Sequence, residues 1–369
     1  MNREPSPGNN NRAARLCFAQ TLLVLIVGLL PIPAGWARAR SALESARAPD
    51  LNRADREANA GGYYEGLIGG GNSPEGARGE LAMRLLGKPS DWVRFHAADV
   101  AYQRDGDFLL FELKPNVDRR LFGQPFTTNA QGMRDRPFAA EKPPGTFRVV
   151  VLGSSIDMGW GVGDDESYVD LLEAWLNGHA GVIGSPRRFE ILNFAVAAYS
   201  PMQRLEAYRR KAAALHPDLV IYSATMLDTR LIEIHLCNML QQRVDLKYDF
   251  LRRAIDDAEI TPADLRLDAE ERLANKDVIK KKLRSQYWPI YDATLGKLAA
   301  ECRSEGVPLA CVIVPRVGKA DAPEARAERV ARLRGIAAHH ALTMFDLTDT
   351  FDRLDPAKVE IAACDDHPN

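Results

Sequence analysis

Residues 148–176, RVVVLGSSIDMGWGVGDDESYVDLLEAWL, run from an unbroken apolar burst through a Gly/Ser turn into an amphipathic pattern. The burst reads as a strand. The pattern after it reads as a helix, with Val169, Leu172, Trp175 and Leu176 at helical spacing and Asp164 or Asp165 available to cap its start. A dinucleotide fingerprint needs G-x-G-x-x-G directly after the strand, and a phosphate loop needs G-x-x-x-x-G-K-[ST]. Neither spacing occurs, and no lysine lies in the turn. The G-x-S-x-G elbow of α/β-hydrolases fails as well, because Gly153-Ser154-Ser155 is followed by Ile156 and Asp157. What remains is a serine at a strand tip, where backbone N–H groups stabilise an oxyanion beside its hydroxyl, or else a tight corner that satisfies a helix end.

The same rhythm continues down the chain. FEILNF (189–194), DLVIYSAT (218–225), PLACVIV (308–314) and LTMFD (342–346) are short continuous apolar runs, the mark of strands covered on both faces. PMQRLEAYRRKAAAL (201–215) is helical and opens on Pro201 at a tolerated first-turn position. This alternation predicts a parallel five-stranded sheet with helices on both faces, an α/β architecture whose ligands gather at the carboxyl ends of the strands. Residues 229–307 break the rhythm with charged helical sequence interrupted by Pro289, predicting a helical insertion over the strand tips, either a substrate lid or a plain embellishment.

Upstream, residues 91–145 alternate short apolar runs such as DFLLFEL and LFGQPFTT with Pro, Asn and Gly, and read as a small β-rich module. EKPPGT (141–146) joins it to the α/β domain, 146–369. Residues 41–90 form a helical and linker segment containing the Gly-rich GLIGGGNSPEGARG (66–79). Residues 1–40 read as a signal peptide or signal anchor: polar and Arg-bearing first, then LCFAQTLLVLIVGLLPIPAGW (16–36) with a small-residue Ala37-Arg38-Ala39 cleavage pattern. This predicts an extracytoplasmic protein, periplasmic or secreted, held at the membrane through residues 16–36 if the leader is not cut.

Composition excludes other classes. Among 369 residues, 48 Lys and Arg nearly balance 50 Asp and Glu, so nucleic acid is not an expected partner. The five cysteines, Cys17, Cys237, Cys302, Cys311 and Cys364, lack the close pairs of a zinc site and fit no complete disulfide framework. No cofactor motif is present.

Taken together, four strand-tip blocks resemble those of the SGNH (GDSL-type) hydrolases, flavodoxin-like esterases. NAQGMRDRPFAAEKPPGTFRVVVLGSSIDMGWGV (129–162) is similar to the nucleophile block of extracytoplasmic members. LNFAVAAYS (192–200) resembles the block bringing the second oxyanion donor, YSATMLD (222–228) the Asn-Asp block, and DDHPN (365–369) the Asp/His block. The resemblance implies Ser155 as nucleophile, His367 as general base and Asp365 as the acid that orients it, with Asp366 adjacent as a substitute and Cys364 at the position where the family often carries its acid. The N–H groups of Ser155 and Ala198 become the oxyanion donors; Ser154, Asn193 and Asp228 are supporting residues, Ser154 standing where an Asp is usual. The oxyanion Asn falls on Leu227, which has no side-chain donor; Thr225, Arg230 and His235 lie nearby as replacements. No metal is required. The family continues beyond the Asp/His block into a closing helix, so a frayed end is expected at His367 unless something ties it down. The implied activity is hydrolysis of a carboxylic ester on a small molecule or glycan, such as an O-acyl group of an envelope glycan or lipid, through an acyl-serine. The alternatives are an O-acyltransferase using the same Ser and His, and a noncatalytic glycan-binding or assembly protein.

Overall fold

In the computed structural model, which describes residues 99–369 apart from 182–186, 270, 318–322 and 363–364, alternate residues of one seven-residue strand enter two different cores. Val149 and Val151 pack with Val169 and Ile191 on one face, while Val150 and Leu152 join the main cluster on the other. Each such valine or leucine contributes roughly 1.5–3 kcal/mol by leaving water, so a strand apolar on both faces is stable only between two layers.

The described residues open on two antiparallel pairs, β1 (Ala101–Gln103) with β2 (Phe111–Leu113), and β3 (Asp118–Leu121) with β4 (Gln124–Thr127). The α/β order follows: β5 (Thr146–Leu152), the one-turn helix α1 (Ser155–Met158), α2 (Tyr168–Gly178), β6 (Arg188–Asn193), α3 (Pro201–Ala207), β7 (Leu219–Ala224), α4 (Asp228–Gln241), α5 (Asp249–Asp257), α6 (Lys276–Leu283), α7 (Tyr287–Ser304), β8 (Leu309–Ile313), α8 (Pro323–His339) and β9 (Thr343–Asp346). The last elements are the hairpin strands β10 (Glu360–Ala362) and β11 (Asp365–Pro368). The central sheet is wholly parallel in the order β6-β5-β7-β8-β9, the flavodoxin-like arrangement. Its switch point lies between β5 and β7, where ligands are expected.

Several local expectations change. The helix after the Gly/Ser turn is capped by Ser167, whose Oγ accepts the Asp170 N–H at 3.2 Å, and not by Asp164 or Asp165; Asp165 is turned away at φ 65°. Pro289 does not interrupt a helix: it sits in the first turn of α7, where no intrahelical N–H bond is lost. Leu251, Ile279, Ile290, Tyr291, Leu295 and Leu298, from α5, α6 and α7, are buried in the main core, which makes the insertion part of the scaffold. The β1–β4 segment shares that core through Phe108 to Leu110, Phe111 and Phe126.

The end of the chain is tied down. β11 pairs with β10, and the Asn369 N–H donates to the Val359 carbonyl at 2.7 Å. Residues 1–98, with the expected leader and linker, and Cys364 lie outside the described residues. Among the described residues no helix is long and apolar enough to cross a membrane.

Candidate active site

Ser155 stands at the tip of β5 as the first residue of α1. The turn that presents it is fixed from four directions. The Asp157 carboxylate accepts the Ser154 N–H at 2.8 Å and the Tyr168 hydroxyl at 2.6 Å, and the Asn193 side-chain amide donates to the Asp157 carbonyl at 2.7 Å. Arg134, buried beneath the turn, donates to the carbonyls of Met158 and Gly159. The closeness explains Gly153: a Cβ there would lie 2.2 Å from Asp157 Oδ2. The carboxylate brace expected of an Asp at position 154 is thus supplied three residues later by Asp157. Although the Tyr168 ring is part-exposed, desolvation of its hydroxyl against Asp157 pushes the phenol well above its usual value, so it remains a donor.

His367 comes from β11, 212 positions later, and its Nε2 lies 2.6 Å from Ser155 Oγ. Asp365 is two residues before it, on the same face of an extended strand, and its Oδ1 meets both Nδ1 and the backbone N–H of His367. A carboxylate only accepts, so Nδ1 carries the proton and Nε2 presents its lone pair to the serine hydroxyl, the tautomer a general base requires. Burial alone would raise the Asp365 carboxyl, but the adjacent imidazole and hydrogen bonds from His367 and Trp160 outweigh it and hold it below the usual carboxylate value. Asp366 lies between the two in β11.

Trp160 is the residue the sequence did not single out. Its indole N–H donates to Asp365 Oδ2 at 3.0 Å, and its ring stacks on His367 at a centroid distance of 5.5 Å. Phe122, from the β3–β4 turn, also packs on the Trp160 ring, at a centroid distance of 4.3 Å. No local pattern joins residues 205 positions apart; only the tryptophan's place inside the Gly-rich turn hinted at it.

The remaining expected residues separate into lining and scaffold. Ala198 adopts a left-handed φ of 64°, which costs an alanine roughly 1–2 kcal/mol, and it lines the cleft with Ile156, Thr225, Leu227, Leu231 and Arg316. Asp228 is buried and does not face the cleft. It accepts from both terminal nitrogens of Arg204, at 2.8 and 3.2 Å, and from the N–H and hydroxyl of Thr225. Arg204 also donates to the Tyr199 carbonyl, so one buried guanidinium ties the Ala198 loop to the Thr225–Asp228 loop. Asn193 acts through Asp157, as above. Thr225 has its hydroxyl engaged with Asp228 and Leu227, Arg230 pairs with Glu233, and His235 is a packing residue between Ser200 and the Phe108 carbonyl. None of the three takes the place of the missing donor at Leu227. Arg316, at the tip of β8, was also missed, although its strand-end position is where this topology collects ligand contacts.

No family model matches the chain, and no curated protein matches it. Similar solved structures include a lipase/acylhydrolase from Enterococcus faecalis (14% identity over 60% of this chain and 87% of that one, TM-score 0.35). A psychrotrophic esterase from Pseudoalteromonas (11% identity, 60% and 88%, TM-score 0.35) and a GDSL-like lipase from Bacteroides thetaiotaomicron (13% identity, 60% and 80%, TM-score 0.31) are others. The strand order agrees with the flavodoxin-like fold expected from the sequence; three of the four blocks follow sheet strands, and the fourth, DDHPN, lies in the β10–β11 hairpin.

Proposed function

We propose that this chain is a serine esterase of the SGNH type, hydrolysing a carboxylic ester through an acyl-Ser155 intermediate. The observation that carries the reading is the unbroken line from Asp365 through both ring nitrogens of His367 to Ser155 Oγ. A serine hydroxyl is a weak nucleophile until a neighbouring base removes its proton. In the proposed cycle His367 Nε2 takes that proton as Oγ attacks the ester carbonyl. The resulting oxyanion is held by the N–H groups of Ser155 and Ala198, and collapse expels the alcohol, which receives the proton from His367. Water then enters, gives its proton to Nε2 and displaces the acyl group as a carboxylic acid, restoring Ser155. Asp365 holds the imidazole in the required tautomer and stabilises its charged form. Trp160 is a positioning residue: it occupies the second oxygen of Asp365 and backs the imidazole ring.

The largely apolar cleft supports a small acyl group as the part of the substrate bound beside Ser155. The apolar segment at 16–36 supports an extracytoplasmic setting, in which O-acylated envelope glycans or lipids are the available esters. With Leu227 in place of an amide donor, turnover is expected to be slow, since one oxyanion contact is commonly worth on the order of 10² to 10³ in rate. The test is hydrolysis of p-nitrophenyl acetate by the purified full chain and by Ser155→Ala. A steady rate that disappears in the variant supports the reading. Equal rates, or none in either protein, favour a glycan-binding or assembly role.

A further inference from the structure

Outside the triad, α7 and the end of α8 bring three ligand-bearing side chains together. Asp292 lies in the second turn of α7, His339 is the last residue of α8 and His340 follows it. His340 Nε2 lies 2.6 Å from Asp292 Oδ1 and His339 Nδ1 lies 3.2 Å from the same oxygen, with the three ligand atoms all within 4.8 Å of one another. We propose that these residues form a site for a divalent transition-metal cation, Zn²⁺ by its ligand chemistry, that pins the C-terminal end of α8 to α7.

Two imidazole nitrogens and one carboxylate oxygen are a common donor set for zinc. With metal–ligand distances near 2.0–2.2 Å, tetrahedral donors sit roughly 3.4 Å apart. The His339–Asp292 separation is already close to that spacing, and the His340–Asp292 contact has to open by less than about 1 Å. Adjacent histidines normally point to different sides of a chain. Here they reach one oxygen by using opposite ring nitrogens, Nδ1 from His339 and Nε2 from His340. The helix also makes room for the second ring: a Cβ on Gly296, one turn beyond Asp292, would lie 2.5 Å from His340 Cε1. Glycine inside a helix costs roughly 1 kcal/mol relative to alanine, so its presence mid-helix has a packing reason in the seating of His340. His340 is held besides by Arg303, which donates to its carbonyl at 3.2 Å. His339 is two-thirds exposed, which leaves it free to swing onto the metal and leaves a fourth position for water.

Binding uses both imidazoles in their neutral form, with the proton on the nitrogen turned away from the metal and from Asp292. The gain is structural. The cation links residues 47 positions apart and stabilises the native state in proportion to its concentration.

The experiment is calorimetric titration of the chelator-treated full chain with ZnCl₂ at pH 7.5, paired with thermal melts. The expected result is binding of one Zn²⁺ at this site with a raised melting temperature. His339→Ala, which touches an exposed side chain and leaves the fold intact, is expected to weaken that binding about tenfold or more and to abolish the melting shift. His339→Ala/His340→Ala is expected to remove both. Co²⁺ in place of Zn²⁺ is expected to give a visible d–d absorption band that His339→Ala changes. Zinc binding that is equal in wild type and His339→Ala, or absent from the folded wild type, overturns the proposal. Neither outcome bears on Ser155.

Discussion

Two histidine–aspartate pairs in this chain make nearly the same contact and differ in what surrounds it. His367 and Asp365 are buried, and every polar atom between them is committed: Nδ1 to the carboxylate, Nε2 to Ser155, and the second carboxylate oxygen to the Trp160 indole. Around His340 and Asp292 the burial is only partial, and the carboxylate is shared with a second imidazole, that of the exposed His339. The first environment fixes one tautomer and one direction for a proton. The second holds two rings on one shared carboxylate without a further side chain fixing their tautomers, so a change of tautomer can turn their lone pairs toward a cation. A third imidazole, His235, is buried with no carboxylate in hydrogen-bond contact. It donates from Nε2 to the Phe108 carbonyl and accepts at Nδ1 from Ser200, and burial pushes it down to about 4, which makes it a neutral structural member.

The largest expected effect separates the two pairs. Asp365→Asn should lower kcat on a p-nitrophenyl ester by on the order of 10⁴, because it leaves the imidazole in the wrong tautomer, whereas Asp292→Asn should leave kcat unchanged. Equal effects would break the comparison. Next comes the oxyanion side of the cleft. Leu227→Asn places a donor where the structure has an isobutyl group, and should raise kcat by up to about 10², read from initial rates at saturating ester. A rate that does not rise would mean position 227 does not face the developing charge.

Trp160→Phe keeps the ring behind His367 and removes only the N–H. A hydrogen bond to a charged group is worth roughly 1.5–3 kcal/mol, and about a tenfold fall in kcat with little change in KM is expected. A change confined to KM would place Trp160 in substrate binding instead. The smallest effect sharpens the role of His235. Its native value lies below the unfolded one, so between about pH 6.5 and 4 the unfolded chain binds the extra proton and stability falls as pH falls, by up to about 1.4 kcal/mol per unit. Asp135 opposes this. Burial raises its carboxyl to about 7, so the native chain holds the extra proton between that value and 3.8, and stability falls as pH rises through this window. Asp135→Asn removes the opposing slope, and its urea midpoint should drop more steeply than that of wild type between pH 6.5 and 4.5. Parallel slopes would show that Asp135 carries no linkage.

Much of this architecture was legible in the chain because parallel strands buried on both faces are written as unbroken apolar runs. RVVVL and its four counterparts are the five strands of the sheet, in the expected order along the chain. The resemblance of short blocks pointed to Ser155, Asp365, His367 and Ala198 alike, and the fold brings the first three into one hydrogen-bonded line. What escaped depends on contacts between distant residues. Trp160 acts on Asp365, Arg204 holds Asp228, and Asp292 meets His340 across gaps in the chain that no local spacing encodes. Caps failed for a different reason: Asp164, Asp165 and Ser167 were all competent, and the backbone path into α2 selected the serine. Pro289 was misread because a proline breaks a helix interior but fits a first turn, and the boundary decides which applies.

The central claim is that Ser155 is a nucleophile activated by His367. Its most direct test is intact-mass and peptide analysis of the full chain after reaction with a fluorophosphonate. The account predicts one adduct, on Ser155, absent from Ser155→Ala and formed far more slowly in His367→Ala. A folded chain that takes up no adduct, or carries it on another residue, would contradict it.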